Sequence, residues 1–113
     1  MDFPCLLLDD DGQLMSCADD AELQQLTEPD FTDEITAAYD SAARPLELHL
    51  IGTRRPVIAL RPAGEPRPEE LAAHVRAYFH HWTDRDVPPD VLHDVALIAA
   101  AVDGTPVCRR RRR

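Results

Sequence analysis

The sequence contains no lysine and no asparagine, and only four of its 113 residues are glycine. All twelve basic residues are arginine, which fits coding from a GC-rich genome, so the abundance of Arg, Ala and Pro carries little message of its own. So few glycines leave little backbone for a glycine-rich phosphate cradle, and no such loop is present. Three cysteines are an odd number, without Cys-x-x-Cys spacing and without a signal-peptide pattern. That excludes a disulfide scaffold and points to a reducing, cytoplasmic setting. The longest apolar run, Val95 to Val102, is eight residues; a bilayer-spanning helix needs about 20. There is no His-Glu-x-x-His pair, no EF-hand spacing around Asp9–Asp11, and no Gly-x-Ser-x-Gly elbow around Ser16 or Ser41. Nothing in these patterns calls for a metal or cofactor, and the balance is against an enzyme.

What is abundant is negative charge. Arg109 to Arg113 supply five of the basic groups, so residues 1–108 hold seven arginines against twenty-one acids, a formal balance of −14. A body this acidic repels phosphate backbones and favours basic partners. The acids gather at Asp9–Asp11, Asp19–Glu22 and Glu28–Glu34, all in the first third of the chain.

Hydrophobic spacing assigns the elements. Cys5–Leu8 and Leu14–Cys17 flank Asp-Asp-Gly, a strong hairpin signal; a three-residue loop places Cys5 opposite Cys17, and a two-residue loop slips that pairing by one. Asp19 with Glu22 forms a capping pair for a short helix carrying Leu23 and Leu26, stopped by Pro29. Residues 34–44 fit both periods: Ile35, Ala38, Tyr39 and Ala42 a helix, Ile35, Ala37 and Tyr39 a strand. The strand is favoured because pairing Tyr39 with Leu46 sets Ala37 against Leu48 and Ile35 against Leu50 on one face. The stretch Tyr39-Asp40 to Arg44-Pro45 also echoes Leu8-Asp9 to Gln13-Leu14. Leu46–Ile51 and Pro56–Pro62 make the next hairpin, with Leu48 facing Leu60, Leu50 facing Ile58 and Glu47 facing Arg61. Pro68-Glu69-Glu70 opens the principal helix, whose core face is Leu71, Val75, Phe79 and Trp82. Pro88-Pro89-Asp90 opens a terminal helix with Val91, Leu92, Val95, Ile98, Ala99 and Val102 on one face and Leu97, with Ala100 and Ala101, on the other.

The expected architecture is α+β: an antiparallel sheet of about five strands, two hairpins plus an extra strand, covered by the main helix and the C-terminal helix. Residues 1–104 form the domain, and 105–113 a disordered Arg-rich tail. The leading functional expectation is a small acidic non-catalytic protein that binds a basic protein partner, as an immunity or inhibitor protein does. Asp10, Asp11, Asp20, Asp33 and Glu34 are its contact residues. Leu97, Ala100 and Ala101 form a homodimer interface, because a helix apolar on both sides needs two neighbours. One alternative is a small-molecule pocket or minor enzyme between sheet and helix, around Tyr39, His49, His74 and His81. Another is a nucleic-acid or membrane adaptor acting through the Arg tail. Against nucleic acid stand the −14 body and the absence of an aromatic platform beside the tail.

Overall fold

The computed structural model describes residues 1–108, apart from the side chain of Phe31. Over these residues the chain forms five strands and three α-helices. The first hairpin joins β1 (Cys5–Asp9) to β2 (Leu14–Cys17), with Cys5 opposite Cys17 as the three-residue loop requires. Its turn is held by one side chain. Asp9 Oδ1 accepts the backbone N–H groups of Asp11 at 3.0 Å and Gln13 at 2.8 Å. Gly12 takes the left-handed conformation, φ 83°, that closes the loop.

Helix α1 (Asp20–Leu26) is capped by Asp19, which accepts the Glu22 N–H at 2.9 Å. Glu22 reaches back to the Ala18 N–H at 3.1 Å. The polar connection after it winds into a 3-10 helix, Pro29–Glu34.

Residues 35–39 do form a strand, β3 (Ile35–Tyr39), but its partner differs from the expected one. It adds to the free edge of β1, giving the sheet order β2-β1-β3, with Leu6 opposite Tyr39 and Leu8 opposite Ala37. Strands β4 (Leu46–Ile51) and β5 (Val57–Pro62) make a separate two-stranded sheet in the expected register, Leu48 against Leu60 and Glu47 against Arg61. A lone bridge, Tyr39 to Pro45, links the two sheets. One five-stranded sheet is therefore corrected to two antiparallel sheets of three and two strands.

The physical reason lies in β1. Cys5, Leu6, Leu7 and Leu8 are all buried, so this strand needs cover on both faces. Leu6 and Leu8 join the cluster under the helices; Cys5 and Leu7 join a second cluster with Leu23 of α1 and with Leu46 and Ile58 of the second hairpin. Had β4 extended the sheet beside β3, the face carrying Leu7 would have lost part of its cover.

The echo between the two aspartate-led turns is real. Asp40 Oδ1 accepts the N–H groups of Ala42 at 2.9 Å and Arg44 at 3.0 Å, the same two offsets as at Asp9. Ala43 occupies the position equivalent to Gly12, at φ 61°.

The principal helix α2 (Pro68–Trp82) matches its expected bounds and buries Leu71, Val75, Phe79 and Trp82. Tyr78 is buried as well. The terminal helix starts later than expected: Pro89–His93 is a 3-10 turn, and α3 (Val95–Asp103) begins only after Asp94 recaps the chain by accepting the Ala96 N–H at 2.9 Å. The start of the expected tail is tied down. Thr105 Oγ1 donates to the Ala101 carbonyl at 2.8 Å, and the Cys108 N–H donates to the Trp82 carbonyl. Arg109 to Arg113 lie outside the described residues. No helix among the described residues is long and apolar enough to cross a membrane.

Candidate functional site

The strand directions gather several features at one end of the molecule. β1 runs up to Asp9, β3 starts down from Ile35 beside it, and the β4–β5 hairpin, antiparallel to β3 at the Tyr39–Pro45 bridge, points its turn the same way. Helix α1 ends there too, and its Gln24 side chain bonds both backbone groups of Ile58, accepting at 3.0 Å and donating at 2.7 Å.

Between the end of α1, the start of β3 and the first hairpin lies a hollow of about 330 Å³ lined by Asp9, Met15, Gln25, Leu26, Thr27, Glu28, Glu34 and Ile35. Met15, Leu26 and Ile35 are half-buried and belong to the second core cluster. Asp9 at the end of β1 and Glu28 and Glu34 at the two ends of the 3-10 helix supply its acidic lining. An apolar floor with a carboxylate rim suits an arginine or lysine side chain, whose aliphatic stem packs while its charged head pairs.

Of the five residues expected to bind a basic partner, Glu34 lines this hollow. Asp10 and Asp11 are exposed in the adjoining turn, and Asp33 is exposed next to Glu34. Asp20 stands at the opposite end of α1, accepting from Gln24 at 3.3 Å. Sequence reasoning assigned Asp9 to its turn and left Glu28 within a charged run. The return of β3 to the β1 edge brings Asp9 against Glu34, and the 3-10 helix sets Glu28 beside them. The carboxylates of Asp9, Asp10 and Asp11 also approach within 4.8 Å of one another, but Asp9 Oδ1 is engaged by its own turn.

The alternative set is dispersed. Tyr39 and His74 lie together, ring centroids 6.1 Å apart, and the Tyr39 hydroxyl donates to Glu70 at 2.5 Å. His81 is exposed beside Asp11, Gly12 and Trp82, and His49 sits half-buried on β4. Ser16 Oγ donates to Asp103, and Cys17 Sγ to the Asp19 carbonyl at 3.2 Å. On α3, Leu97 is 47 % exposed and Ala100 is exposed, whereas Ala101 packs against the chain's own core.

Four buried groups shift upward in pKa. Burial, then the neighbouring Cys17, pushes the Cys5 thiol up to about 12. Burial, then Glu22, pushes Cys17 up to about 11. Tyr39 rises through burial and its bond to Glu70, and Tyr78 through burial and Asp103. Each folded value lies above the ordinary one, 9.0 for the thiols and 10.0 for the tyrosines. The stability the two thiols contribute is therefore complete below pH 9 and is lost as pH rises through about 11 to 12. Thermal midpoints should stay level up to pH 9 and fall steadily above it. A level profile beyond pH 11 would contradict this burial.

The same burial predicts thiol reactivity. At pH 8 a disulfide reagent should label Cys108, which is half-buried, well before Cys5 and Cys17, which are fully buried. Native protein should titrate with one fast thiol and denatured protein with all three. Three fast native thiols would mean that the first hairpin is open.

Compared with protein-family models, with curated proteins and with solved structures, the chain matches none. The functional reading therefore rests on the site.

Proposed function

We propose that this chain is a non-catalytic protein that docks a basic protein partner on its acidic end, in the manner of an immunity or inhibitor protein. The observation that supports this reading is the hollow where Asp9, Glu28 and Glu34 surround a floor of Met15, Leu26 and Ile35. The exposed acids Asp10, Asp11 and Asp33 extend its negative field outward. Such a field speeds encounter with a basic surface at low ionic strength, and the apolar floor then supplies contact area that salt does not screen.

The test compares wild type with the triple variant Asp9→Asn, Glu28→Gln, Glu34→Gln, each immobilised and exposed to the host lysate. A basic protein should be retained by wild type, released by about 0.5 M salt, where the Debye length is about 4 Å, and not retained by the triple variant. With that protein purified, the triple variant should slow association at low salt by at least about tenfold. Asp20→Ser, at the far end of α1, should leave the rate nearly unchanged. Identical retention by wild type and triple variant would remove the reading.

A further inference from the structure

Beside the acidic hollow, the tip of the second hairpin exposes apolar side chains on both of its faces. Leu50 is 49 % exposed, and Ile51 and Val57 are each 48 % exposed. Leu46, Leu48, Ile58 and Leu60 lower in the same hairpin pack into the second core cluster. The hairpin thus overruns the layer it covers at its last pair, Ile51–Val57, with Leu50 exposed beside it while its partner Ile58 stays buried. The turn between them carries Arg54 and Arg55, both exposed. In residues 1–108 this is the one place where two basic residues adjoin.

Strand addition at the β5 edge does not account for this exposure. Gln24 occupies the outward backbone groups of Ile58, and Pro56 and Pro62 bracket β5 with residues that lack an N–H. What the tip offers is a prong, apolar on its sides and doubly positive at its point. The hollow at the same end offers the complement, an apolar floor under three carboxylates.

We propose that a second copy of this chain occupies the acidic end, the Leu50–Val57 tip of each protomer seated on the Asp9, Glu28 and Glu34 hollow of the other. Prong and socket lie at one end of the molecule, so the contact closes reciprocally about a twofold axis and leaves no open end for a filament. Arg54 and Arg55 meet the carboxylate rim, and Leu50, Ile51 and Val57 bury against Met15, Leu26 and Ile35. The inference rests on the reading of the acidic end as a docking surface. It adds that a basic partner and a second copy compete for it.

The test is a charge swap read by sedimentation equilibrium of the full chain across about 1–100 µM, a range set by the micromolar affinity of small interfaces. Wild type should approach twice 12.7 kDa. Arg54→Glu with Arg55→Glu should be monomeric, and so should Glu28→Arg with Glu34→Arg. An equimolar mixture of the two variants should regain the dimer, because each then meets its complement at both contacts. Circular dichroism checks folding, and if either charge reversal unfolds the chain, Arg54→Ser with Arg55→Ser and Glu28→Gln with Glu34→Gln replace it, each expected to weaken pairing at least tenfold. Leu97→Asp should remain dimeric. The inference fails if wild type is monomeric throughout, if the mixture does not pair, if Leu97→Asp alone abolishes pairing, or if loss of Arg109–Arg113 does so while the Arg54, Arg55 variant still pairs. A monomeric wild type that still retains a basic partner through Glu28 and Glu34 sinks this inference and leaves the proposed function standing.

Discussion

Replacing Leu7 with alanine should destabilise the protein by about 2–5 kcal/mol, the range for buried leucines whose cavity does not collapse. Leu7 is 0 % exposed and lies on the face of β1 that a single sheet covered only by α2 and α3 would leave to solvent. Leu6, also 0 % exposed, lies on the helix-covered face. The two substitutions should therefore cost similar amounts, each lowering the thermal midpoint by roughly 10 °C or more. Leu7→Asp should prevent folding, since an aspartate there would be charged, buried and unpaired. Urea or thermal melts decide the matter. If Leu7→Ala lowers the midpoint by less than about 3 °C while Leu6→Ala is severe, the second hairpin and α1 do not form a layer over β1.

The second large effect is expected at Asp40. The residue is 3 % exposed, and its carboxylate accepts two backbone N–H groups, from Ala42 and Arg44. The turn it holds is tied into the fold on both sides: the Ser41 N–H donates to the Asp2 carbonyl at 3.0 Å, and the Arg67 N–H to the Ala43 carbonyl at 2.8 Å. Asp40→Ala removes a charged acceptor and leaves N–H groups facing a partly dry interior, at a cost of about 3 kcal/mol. Asp9→Ala removes the same pair of bonds in a more open turn, where water can replace them, so about 1 kcal/mol is expected. Asp40→Asn keeps a carbonyl acceptor at Oδ1 and should recover a good part of the loss. Denaturant midpoints of the three variants test this order. Equal costs at Asp9 and Asp40 would mean that burial does not distinguish the two turns.

The two turns show what can be read locally. An aspartate, two small or polar residues and a fourth residue able to take positive φ are recognisable from five consecutive letters, because the two bonds the aspartate carboxylate accepts fall within those five. The register of the second hairpin, the Asp19–Glu22 cap and the bounds of α2 were legible as well, whereas the first hairpin's register stayed open between a two- and a three-residue loop until the structure set Cys5 opposite Cys17. Ala43 is the partial exception: nothing about alanine signals the left-handed region, and only the repeat of the Asp9 pattern pointed there.

Where two separated segments had to choose each other, the sequence alone did not decide. Ile35–Tyr39 carries an apolar alternation that suits either Leu46–Leu50 or Leu6–Leu8, and both pairings satisfy strand geometry. The choice fell to β1 because Cys5–Leu8 is apolar at consecutive positions and must be covered on two faces. That demand concerns the whole core rather than any pair of strands. The Cys-Leu-Leu-Leu run was its only sequence signal. The start of α3 was likewise settled by competition, the Asp94 cap prevailing over the Pro88-Pro89-Asp90 start. The candidate site follows from these outcomes. That acids concentrate in the first third of the chain was determined by the sequence; that Asp9, Glu28 and Glu34 share one apolar-floored hollow was decided by the tertiary structure. Glu28 and Glu34, six residues apart, are brought to one side by the two turns of the 3-10 helix between them; Asp9, nineteen residues before Glu28, joins them only through the packing of β3 against β1, with α1 laid behind.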